Sequence, residues 1–257
     1  MRLAGHVVVV TGASGIAAAG ARRFASEGAS VFIISIDGDQ CRDLAAELGR
    51  AGPVGWSAAD LTDEAATVSA FAACADRFGD LTGLFAVVGA SGRGRGDGPL
   101  DQVPLEGWRH TMDINTIPPF LAAREAVKLM KRRDAGGSVV LIGSISAMHP
   151  SQYFVTHAYA AAKGAAISLT RSLASHYAPD RIRVNLIAPG LVETPMSARA
   201  ASDPATVAYA RQKQPLAGGL LDPADVAAAA VFLLSDEAGR ITGQVLEVDG
   251  GWGVTEV

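Results

Sequence analysis

Short, almost continuously apolar runs alternate along this chain with longer Ala-rich stretches in which apolar residues recur at helical spacing. The apolar runs predict strands at residues 6–11, 30–35, 54–57, 84–88, 138–144, 183–187 and 244–248. The stretches between them predict helices at residues 15–27, 39–48, 64–78, 108–132, 158–177 and 223–234. Strands that are apolar throughout are typical of a sheet covered on both faces. Strand–helix alternation favours a parallel sheet, so we predict one α/β domain over residues 1–257 with a doubly wound sheet.

Composition and charge narrow the function classes. The chain has 257 residues, 49% apolar and 19% charged, which is typical of a globular protein. A net charge of −4 argues against a nucleic-acid partner. No apolar run approaches the roughly 20 residues that span a bilayer, so we expect a cytoplasmic protein without a membrane partner. Cys41 and Cys74 fall in separate predicted helices and indicate neither a disulfide framework nor a metal site.

A glycine-rich turn joins the first predicted strand to the first predicted helix. Its candidate phosphate-binding residues are Gly12, Ser14, Gly15 and Ile16. Glycines permit close approach of a ligand, and the N–H groups at a helix N-terminus bind a pyrophosphate. The strand–turn–helix context favours a dinucleotide site over an ordinary tight turn.

The end of the second predicted strand indicates which dinucleotide is bound. An acid there hydrogen-bonds the ribose 2′-hydroxyl of NAD, whereas a base pairs with the 2′-phosphate of NADP. Asp37 follows this strand, and the next basic residue is Arg42. We therefore expect NAD, with NADP as the alternative. Asp37 is also suited to cap the following helix, and both roles are compatible.

A phenol and an ammonium four residues apart form the candidate catalytic group. Tyr159 and Lys163 share one face of a predicted helix, which follows a buried strand ending in Ser144. Hydroxyl, phenol and ammonium together can move a proton on and off an alcohol or carbonyl oxygen. A second pair with this spacing, Tyr209 and Lys213, lies in a polar stretch without a preceding strand, which favours an ordinary helix surface.

With these motifs in this order, the whole chain resembles the short-chain dehydrogenase/reductase family. Other matching positions are Asp60 and Leu61 after the third strand, Asn115 in the fourth helix, residues 183–196 and residues 241–251. The resemblance implies a Rossmann-like fold, a homotetramer or homodimer, and hydride transfer between a nicotinamide and a secondary alcohol or ketone. It implies cofactor contacts at Asp60, Leu61, Gly89, Tyr159, Lys163, Pro189, Gly190, Val192 and Thr194.

The resemblance also implies a role for each catalytic residue. Tyr159 is the general acid/base, and the charge of Lys163 is expected to lower the pKa of that phenol from its ordinary value. Lys163 also holds the nicotinamide ribose. Ser144 hydrogen-bonds the substrate oxygen, and Asn115 supports a water relay to Lys163.

Three departures from the family pattern concern the cofactor. The glycine-rich turn is one residue shorter than usual and ends in Ala17, and Ser35 stands where the second strand usually ends in Asp. After the fourth strand, the family's Asn-Asn-Ala-Gly reads Ala86-Val87-Val88-Gly89. The side-chain hydrogen bonds of that Asn pair are lost, and we expect a local apolar repacking in their place.

The catalytic serine is a fourth departure. Counting back 13 residues from Tyr159, the common family spacing, gives Ser146. Aligning the strand instead gives Ser144, with a loop two residues longer. We favour Ser144 because the run from Ser144 fits the family's Ser-apolar-small-small order, and we place Ser146 in the substrate pocket beside Ser144 and Tyr159.

Loops near the expected pocket leave two interpretations open. His149 and His157, in the Ser–Tyr loop, either contact substrate or face solvent or a neighbouring element. Arg93 and Arg95, after the fourth strand, either attract an anionic substrate or belong to a flexible solvated loop.

The chain beyond the sixth strand shows little pattern. Residues 196–220 are polar and Ala-rich, and we predict a mobile substrate lid around residues 194–221. Trp108 and Trp252 are interpreted as packing residues, with a subunit contact as a further role for Trp252.

Two function classes remain. An NAD(P)-dependent oxidoreductase is favoured, because Asn115, Ser144, Tyr159 and Lys163 are retained together. The alternative is a non-catalytic, cofactor-binding regulatory protein on the same fold, which the short turn and the lost Asn pair favour. A sugar-nucleotide epimerase would typically need a larger C-terminal domain. The sequence leaves the substrate and the reaction direction open.

Overall fold

A computed structural model describes residues 1–256, and the seven strands in them form one parallel sheet. The strands are β1 (Val7–Thr11), β2 (Ser30–Ser35), β3 (Val54–Ala58), β4 (Gly83–Ala86), β5 (Gly137–Ile142), β6 (Ile182–Pro189) and β7 (Val245–Val248). The helices are α1 (Gly15–Ser26), α2 (Gly38–Leu48), α3 (Glu64–Phe78), α4 (Leu105–Met130), α5 (His157–Tyr177), α6 (Ala198–Ala201), α7 (Pro204–Lys213) and α8 (Pro223–Leu234).

The sheet order is β3-β2-β1-β4-β5-β6-β7, so the chain reverses its direction across the sheet between β1 and β4. In open α/β sheets, ligands bind outside the carboxyl ends of the strands at such a reversal. The order therefore places the candidate site at the ends of β1 and β4. No helix within residues 1–256 combines the length and the apolarity needed to cross a membrane.

Helices cover both faces of the sheet. In β1, Val8 and Val10 pack in a core with α1, α2 and α8, whereas Val9 packs in a second core with α3, α4 and α5. All three valines are completely buried. Successive strand residues point to opposite faces, which explains why the strands are apolar at every position. The predicted doubly wound Rossmann-like sheet is confirmed.

The boundaries of the predicted elements differ from those in the structure by at most three residues. The largest difference is at α4, which begins at Leu105 after Pro104. Proline has no backbone N–H, and an N–H at the start of a helix would find no intrahelical acceptor. Proline therefore suits this position. β4 ends at Ala86, two residues before the predicted end, because Thr11 Oγ1 accepts the N–H groups of the next two residues.

The segment predicted as a lid contains α6 and α7, which its residue pattern did not indicate. Asp203 caps α7 by accepting the N–H groups of Ala205 and Thr206. Fully buried Gln214 then ties the segment to the chain after β6. Its Oε1 accepts the N–H of Leu191 at 2.5 Å, and its Nε2 donates to the Leu191 carbonyl at 3.1 Å. The mobility of this segment stays a prediction.

Candidate active site

A cavity of about 1090 Å³ opens at the carboxyl ends of the strands. This volume suits a dinucleotide together with a small substrate. The predicted site residues that line it are Gly12, Ser14, Gly15, Ile16, Asp60, Leu61, Gly89, Ser144, Ser146, Tyr159, Lys163, Pro189, Gly190, Val192 and Thr194. Asp37 and Asn115 do not line it.

The glycine-rich turn shapes one end of the cavity. Gly12 and Gly15 have φ angles of 101° and 50°, in the left-handed region that favours glycine. A Cβ on Gly15 would lie 3.1 Å from Thr194 Cβ, so the backbone approaches the opposite wall closely. Gly15 opens α1, whose first N–H groups have no intrahelical acceptor. The turn therefore fits the pyrophosphate of a dinucleotide. Ala17, which ends the shortened turn, is buried in the core and packs against Gly12.

Thr11 and two valines replace the missing Asn pair. Thr11 Oγ1 accepts the N–H groups of Val87 at 2.9 Å and Val88 at 3.2 Å, which ends the β4 ladder at Ala86. The Val87 side chain packs against the core of α1, α2 and α8, and that of Val88 packs against the core of α3, α4 and α5. The expected apolar repacking is present, and Thr11 supplies the hydrogen bonds.

Asp37 is the N-cap of α2. Its carboxylate accepts the Gln40 N–H at 3.0 Å and the Gln40 side-chain amide at 2.8 Å. Ser35 and Ile36 line the cavity beside it. The capping role of Asp37 is therefore present, and its contact with a ribose stays a prediction. At the same edge, Asp60 accepts two hydrogen bonds from Thr62.

Lys163 is held by the end of β5. Its side chain is buried, and Nζ donates to the Ile142 carbonyl at 3.0 Å. Nζ lies 5.5 Å from the centre of the Tyr159 ring, one helical turn before it on α5. Burial lowers the pKa of Lys163 to about 8. The ammonium form therefore predominates at neutral pH, but its charge is more easily lost than that of an exposed lysine.

Tyr159, Ser144 and Ser146 form a chain of hydroxyl groups. Ser146 Oγ donates to Ser144 Oγ at 2.9 Å, and the Ser144 side chain is the hydrogen-bonding neighbour that lowers the pKa of the Tyr159 phenol. Burial raises the pKa of Tyr159 to about 12, against the lowering effect of the Ser144 hydrogen bond. The expected depression of this pKa by Lys163 is wrong for the protein alone, where the loss of hydration on burial sets the direction of the shift. Of the two serines, Ser144 is the one that affects the pKa of the phenol.

Asn115 positions the loop after β4 and stays outside the cavity. Its Oδ1 accepts the Ala90 N–H at 3.2 Å, and its Nδ2 donates to the carbonyls of Ala90 at 2.9 Å and Thr111 at 2.8 Å. Gly89 lies between this amide and Lys163, where a Cβ would come within 2.6 Å of Asn115 Oδ1 and 3.3 Å of Lys163 Nζ. The Asn115 side-chain amide therefore fixes the position of the Gly89 backbone, which faces the Lys163 ammonium. The water relay stays a prediction.

Asp97 is a site residue that no sequence motif indicated. Its buried carboxylate accepts the N–H groups of Ala158 at 3.0 Å and Tyr159 at 2.9 Å. Thr156, the N-cap of α5, makes no side-chain capping bond. A carboxylate 62 residues away in sequence therefore caps the helix at the residue that carries the phenol.

An aromatic cluster closes the other end of the cavity. The Tyr209 ring on α7 stacks on Tyr153 at 4.5 Å, and its hydroxyl lies 2.8 Å from Ser151 Oγ. Trp252 packs on Tyr209 at 5.5 Å and on Phe154 at 5.8 Å. Phe154 and Trp252 line the cavity, so Trp252 packs as expected and also forms the cavity wall.

The loop histidines and arginines separate into two groups. His149, His157 and Arg93 line the cavity, and Arg95 does not. His149 Nε2 lies 3.0 Å from Glu247 Oε2, so this histidine contacts a neighbouring element as well as the cavity. Arg199, which the sequence did not single out, also lines the cavity from α6.

Comparison with known proteins identifies the family of the chain. A family model described as enoyl-(acyl carrier protein) reductase matches residues 10–253. The 2,5-dichloro-2,5-cyclohexadiene-1,4-diol dehydrogenase of Sphingobium indicum is 36% identical over 255 residues, 98% of each chain. The cis-4-hydroxycyclohexanecarboxylate dehydrogenase of Sinomonas cyclohexanicum is 36% identical over 249 residues, 96% of each chain.

A similar solved structure is that of a short-chain type dehydrogenase/reductase from Mycobacterium ulcerans. It superposes with a TM-score of 0.92 at 32% identity and covers 100% of this chain and 92% of that one. The similarity extends from the glycine-rich turn through the Tyr–Lys helix to the C-terminal tail. Site geometry, topology and full-length similarity together show that this chain belongs to the short-chain dehydrogenase/reductase family of oxidoreductases.

Proposed function

We propose that this protein transfers a hydride between NAD and a secondary alcohol or ketone, with Tyr159 as the general acid/base. The observation that carries the proposal is the placement of Tyr159, Ser144 and Lys163 in one cavity with a glycine-rich turn that fits a dinucleotide. A bound nicotinamide supplies the hydride acceptor or donor.

The residues of this chain handle the proton. During oxidation, the phenolate form of Tyr159 accepts the hydroxyl proton of the substrate while Ser144 Oγ donates a hydrogen bond to the same oxygen. The Ser146 hydroxyl, which donates to Ser144, orients it for that task. Lys163 places a positive charge beside the phenolate, which is the proton acceptor in oxidation and is left behind in reduction. During reduction the proton moves the other way, from Tyr159 to the carbonyl oxygen.

We further propose that the substrate is a cyclic alcohol. Two relatives are named as dehydrogenases of ring alcohols, a dichlorocyclohexadienediol and a hydroxycyclohexanecarboxylate. In this chain the substrate end of the cavity presents flat and apolar side chains from Phe154, Met196 and Trp252. Such a wall packs well against the face of a six-membered ring.

The test is NAD reduction with a panel of cyclohexanols, cyclohexanediols and open-chain secondary alcohols. We expect turnover of the ring alcohols by the wild type, and a loss of about 10³-fold or more in kcat for Tyr159→Phe, the upper part of the range for general acid/base catalysis. The variant should bind NADH as the wild type does. Turnover retained by Tyr159→Phe would refute the mechanism. NADH binding without turnover of any alcohol would favour the non-catalytic alternative.

The preference for NAD rests on Asp37 and can be tested separately. Calorimetric titration should show tighter binding of NADH than of NADPH, and Asp37→Ala should narrow that difference, because the anionic carboxylate disfavours a 2′-phosphate. Asp63→Ala is the matched control: Asp63 caps α3 through the Ala66 N–H in the same way, but it does not follow β2, where the ribose is expected. Tighter NADPH binding by the wild type would contradict the assignment.

A further inference from the structure

Charge is distributed unevenly along the cavity. Among residues 1–256, Asp60 is the one acidic side chain that lines it, and Asp60 lies at the nucleotide end, after β3. The substrate end presents Arg93 from the loop after β4 and Arg199 from α6, together with His149 and His157. This end of the cavity therefore attracts anions.

The two arginines lack ion-pair partners of their own. Neither Arg93 nor Arg199 has a carboxylate oxygen within 4.0 Å in the described part of the chain, whereas Arg22 has one such partner and Arg42 and Arg124 have two each. Two acids do lie near them, Asp97 by Arg93 and Asp203 by Arg199.

Both of these acids are occupied as helix caps. The Asp97 oxygens each accept a backbone N–H of α5, and Asp203 accepts those of Ala205 and Thr206 together with the Thr206 hydroxyl. Their charge is therefore shared with helix N-termini. The guanidinium groups keep donors available for a ligand.

Arg93 is also held in place. Gly92 before it packs so tightly on Thr111 that a Cβ would overlap the Thr111 hydroxyl, and Asp97 fixes the other end of the loop to α5. Arg93 is half-buried, and burial and the charge of Arg199 lower its pKa. Arg199 is exposed, and two like charges that repel each other are stabilised by an anion bound between them.

We propose that Arg93 and Arg199 form an anion subsite, and that the substrate carries a carboxylate in addition to its reacting hydroxyl. This inference rests on the proposed function for the reaction and adds the class of substrate, a cyclic hydroxy acid. Guanidinium groups suit the task because their planar donors match both oxygens of a carboxylate. Arg95, two residues after Arg93, lies in a separate small pocket with Pro104 and His110 and takes no part.

The experiment compares two nearly isosteric substrates that differ in charge, 4-hydroxycyclohexanecarboxylate and 4-hydroxycyclohexanecarboxamide, together with their 3-hydroxy isomers. We expect the wild type to prefer an acid over its amide by at least about tenfold in kcat/KM. Arg93→Gln and Arg199→Gln should each reduce that ratio by about tenfold to a hundredfold, the usual effect of one charge-assisted contact. Arg95→Gln is the matched control and should keep the wild-type ratio.

A binding measurement separates this inference from the proposed function. Cyclohexanecarboxylate is titrated calorimetrically into the enzyme with NADH present, and we expect binding by the wild type and Arg95→Gln that weakens at least about tenfold in Arg93→Gln. Carboxylate binding without turnover of any alcohol would support the subsite and refute the dehydrogenase.

Three results would overturn the subsite. The first is an acid-to-amide ratio near one in the wild type. The second is a ratio that the Arg93→Gln and Arg199→Gln variants leave unchanged. The third is weaker NADH binding in those variants with an unchanged ratio, which would assign both arginines to the cofactor pyrophosphate.

Discussion

The chain contains two Tyr-x-x-x-Lys pairs on helices, and their surroundings differ. On α5, Lys163 is buried with Nζ donating to the Ile142 carbonyl, and Ser144 is the neighbour that lowers the pKa of Tyr159. On α7, Lys213 contacts the Thr255 carbonyl and lies 5.9 Å from the centre of the Trp252 ring. Tyr209 is stacked on an exposed Tyr153.

Four-residue spacing places two side chains on the same helix face. The elements that this face meets determine which chemistry the pair can perform. α5 presents its pair to the end of β5, where a backbone carbonyl and a serine hydroxyl are available. On α7 the lysine also meets a backbone carbonyl, that of Thr255, and the tyrosine a serine hydroxyl, that of Ser151, but neither side chain lines the cavity, so this pair serves the fold alone. The four predictions below test this contrast, beginning with the largest effect.

Removing the two ammonium groups in turn should separate the pairs most clearly. Lys163→Met should reduce kcat/KM by about 10³-fold, since it removes the positive charge that favours the phenolate required for alcohol oxidation. Lys213→Met should stay within about threefold of the wild type, because its partners are Thr255 and Trp252. Steady-state kinetics with a ring alcohol measures both, and equal losses would contradict the contrast.

The serines offer the second comparison. Ser144→Ala should reduce kcat by about 10²-fold, the scale of one lost hydrogen bond to a developing oxyanion. Ser146→Ala should cost about tenfold or less, since Ser146 acts by donating to Ser144. If Ser146→Ala alone abolishes kcat, the assignment of Ser144 is wrong.

The pH dependence tests the environment of Tyr159. With a pKa raised to about 12, the phenol stays protonated at neutral pH, and the phenolate fraction rises about tenfold per pH unit. Initial rates of oxidation should therefore climb steeply from pH 6 to 8. Above pH 8 the slope should decrease, since Lys163 loses its charge near that value. Ketone reduction should show little dependence on pH between 6 and 8. Oxidation rates that are independent of pH from 6 to 10 would contradict the raised pKa.

The smallest effect is expected at the second tyrosine. Tyr209→Phe keeps the stacked ring but loses the hydrogen bond to Ser151, which should lower the free energy of unfolding by about 1 kcal/mol. Tyr153→Phe is the control, because the Tyr153 hydroxyl has no hydrogen-bond partner among residues 1–256. Urea denaturation measures both. A loss of activity in Tyr209→Phe beyond about threefold would show that α7 acts in catalysis.

The sheet and the central motifs could be predicted because they follow from local patterns. Continuous apolar runs mark strands such as β1, and the four-residue spacing of Tyr159 and Lys163 identifies one helix face. Predictions of oligomeric state, cytoplasmic location and choice of NAD depend on surfaces and ligands beyond these patterns, and they stay predictions.

What the sequence missed depends on contacts between distant residues. The raised pKa of Tyr159 results from burial, which spacing does not reveal. α7 is Ala-rich and polar, and aromatic packing and Gln214 hold its segment without any apolar period. Arg199 and Asp97 matter because the fold brings them to the cavity and to α5, and no neighbouring residue in the sequence points to them.

The contact of Asp97 with α5 constrains how this enzyme can change its substrate. The same short loop carries Arg93 at the cavity wall and Asp97 under the backbone of Tyr159. Exchanging this loop to alter substrate preference would free the first turn of α5 unless an acid is kept at position 97. A change in this loop therefore affects both the substrate range and the position of Tyr159. We expect a grafted loop to keep turnover only if it retains the carboxylate of Asp97.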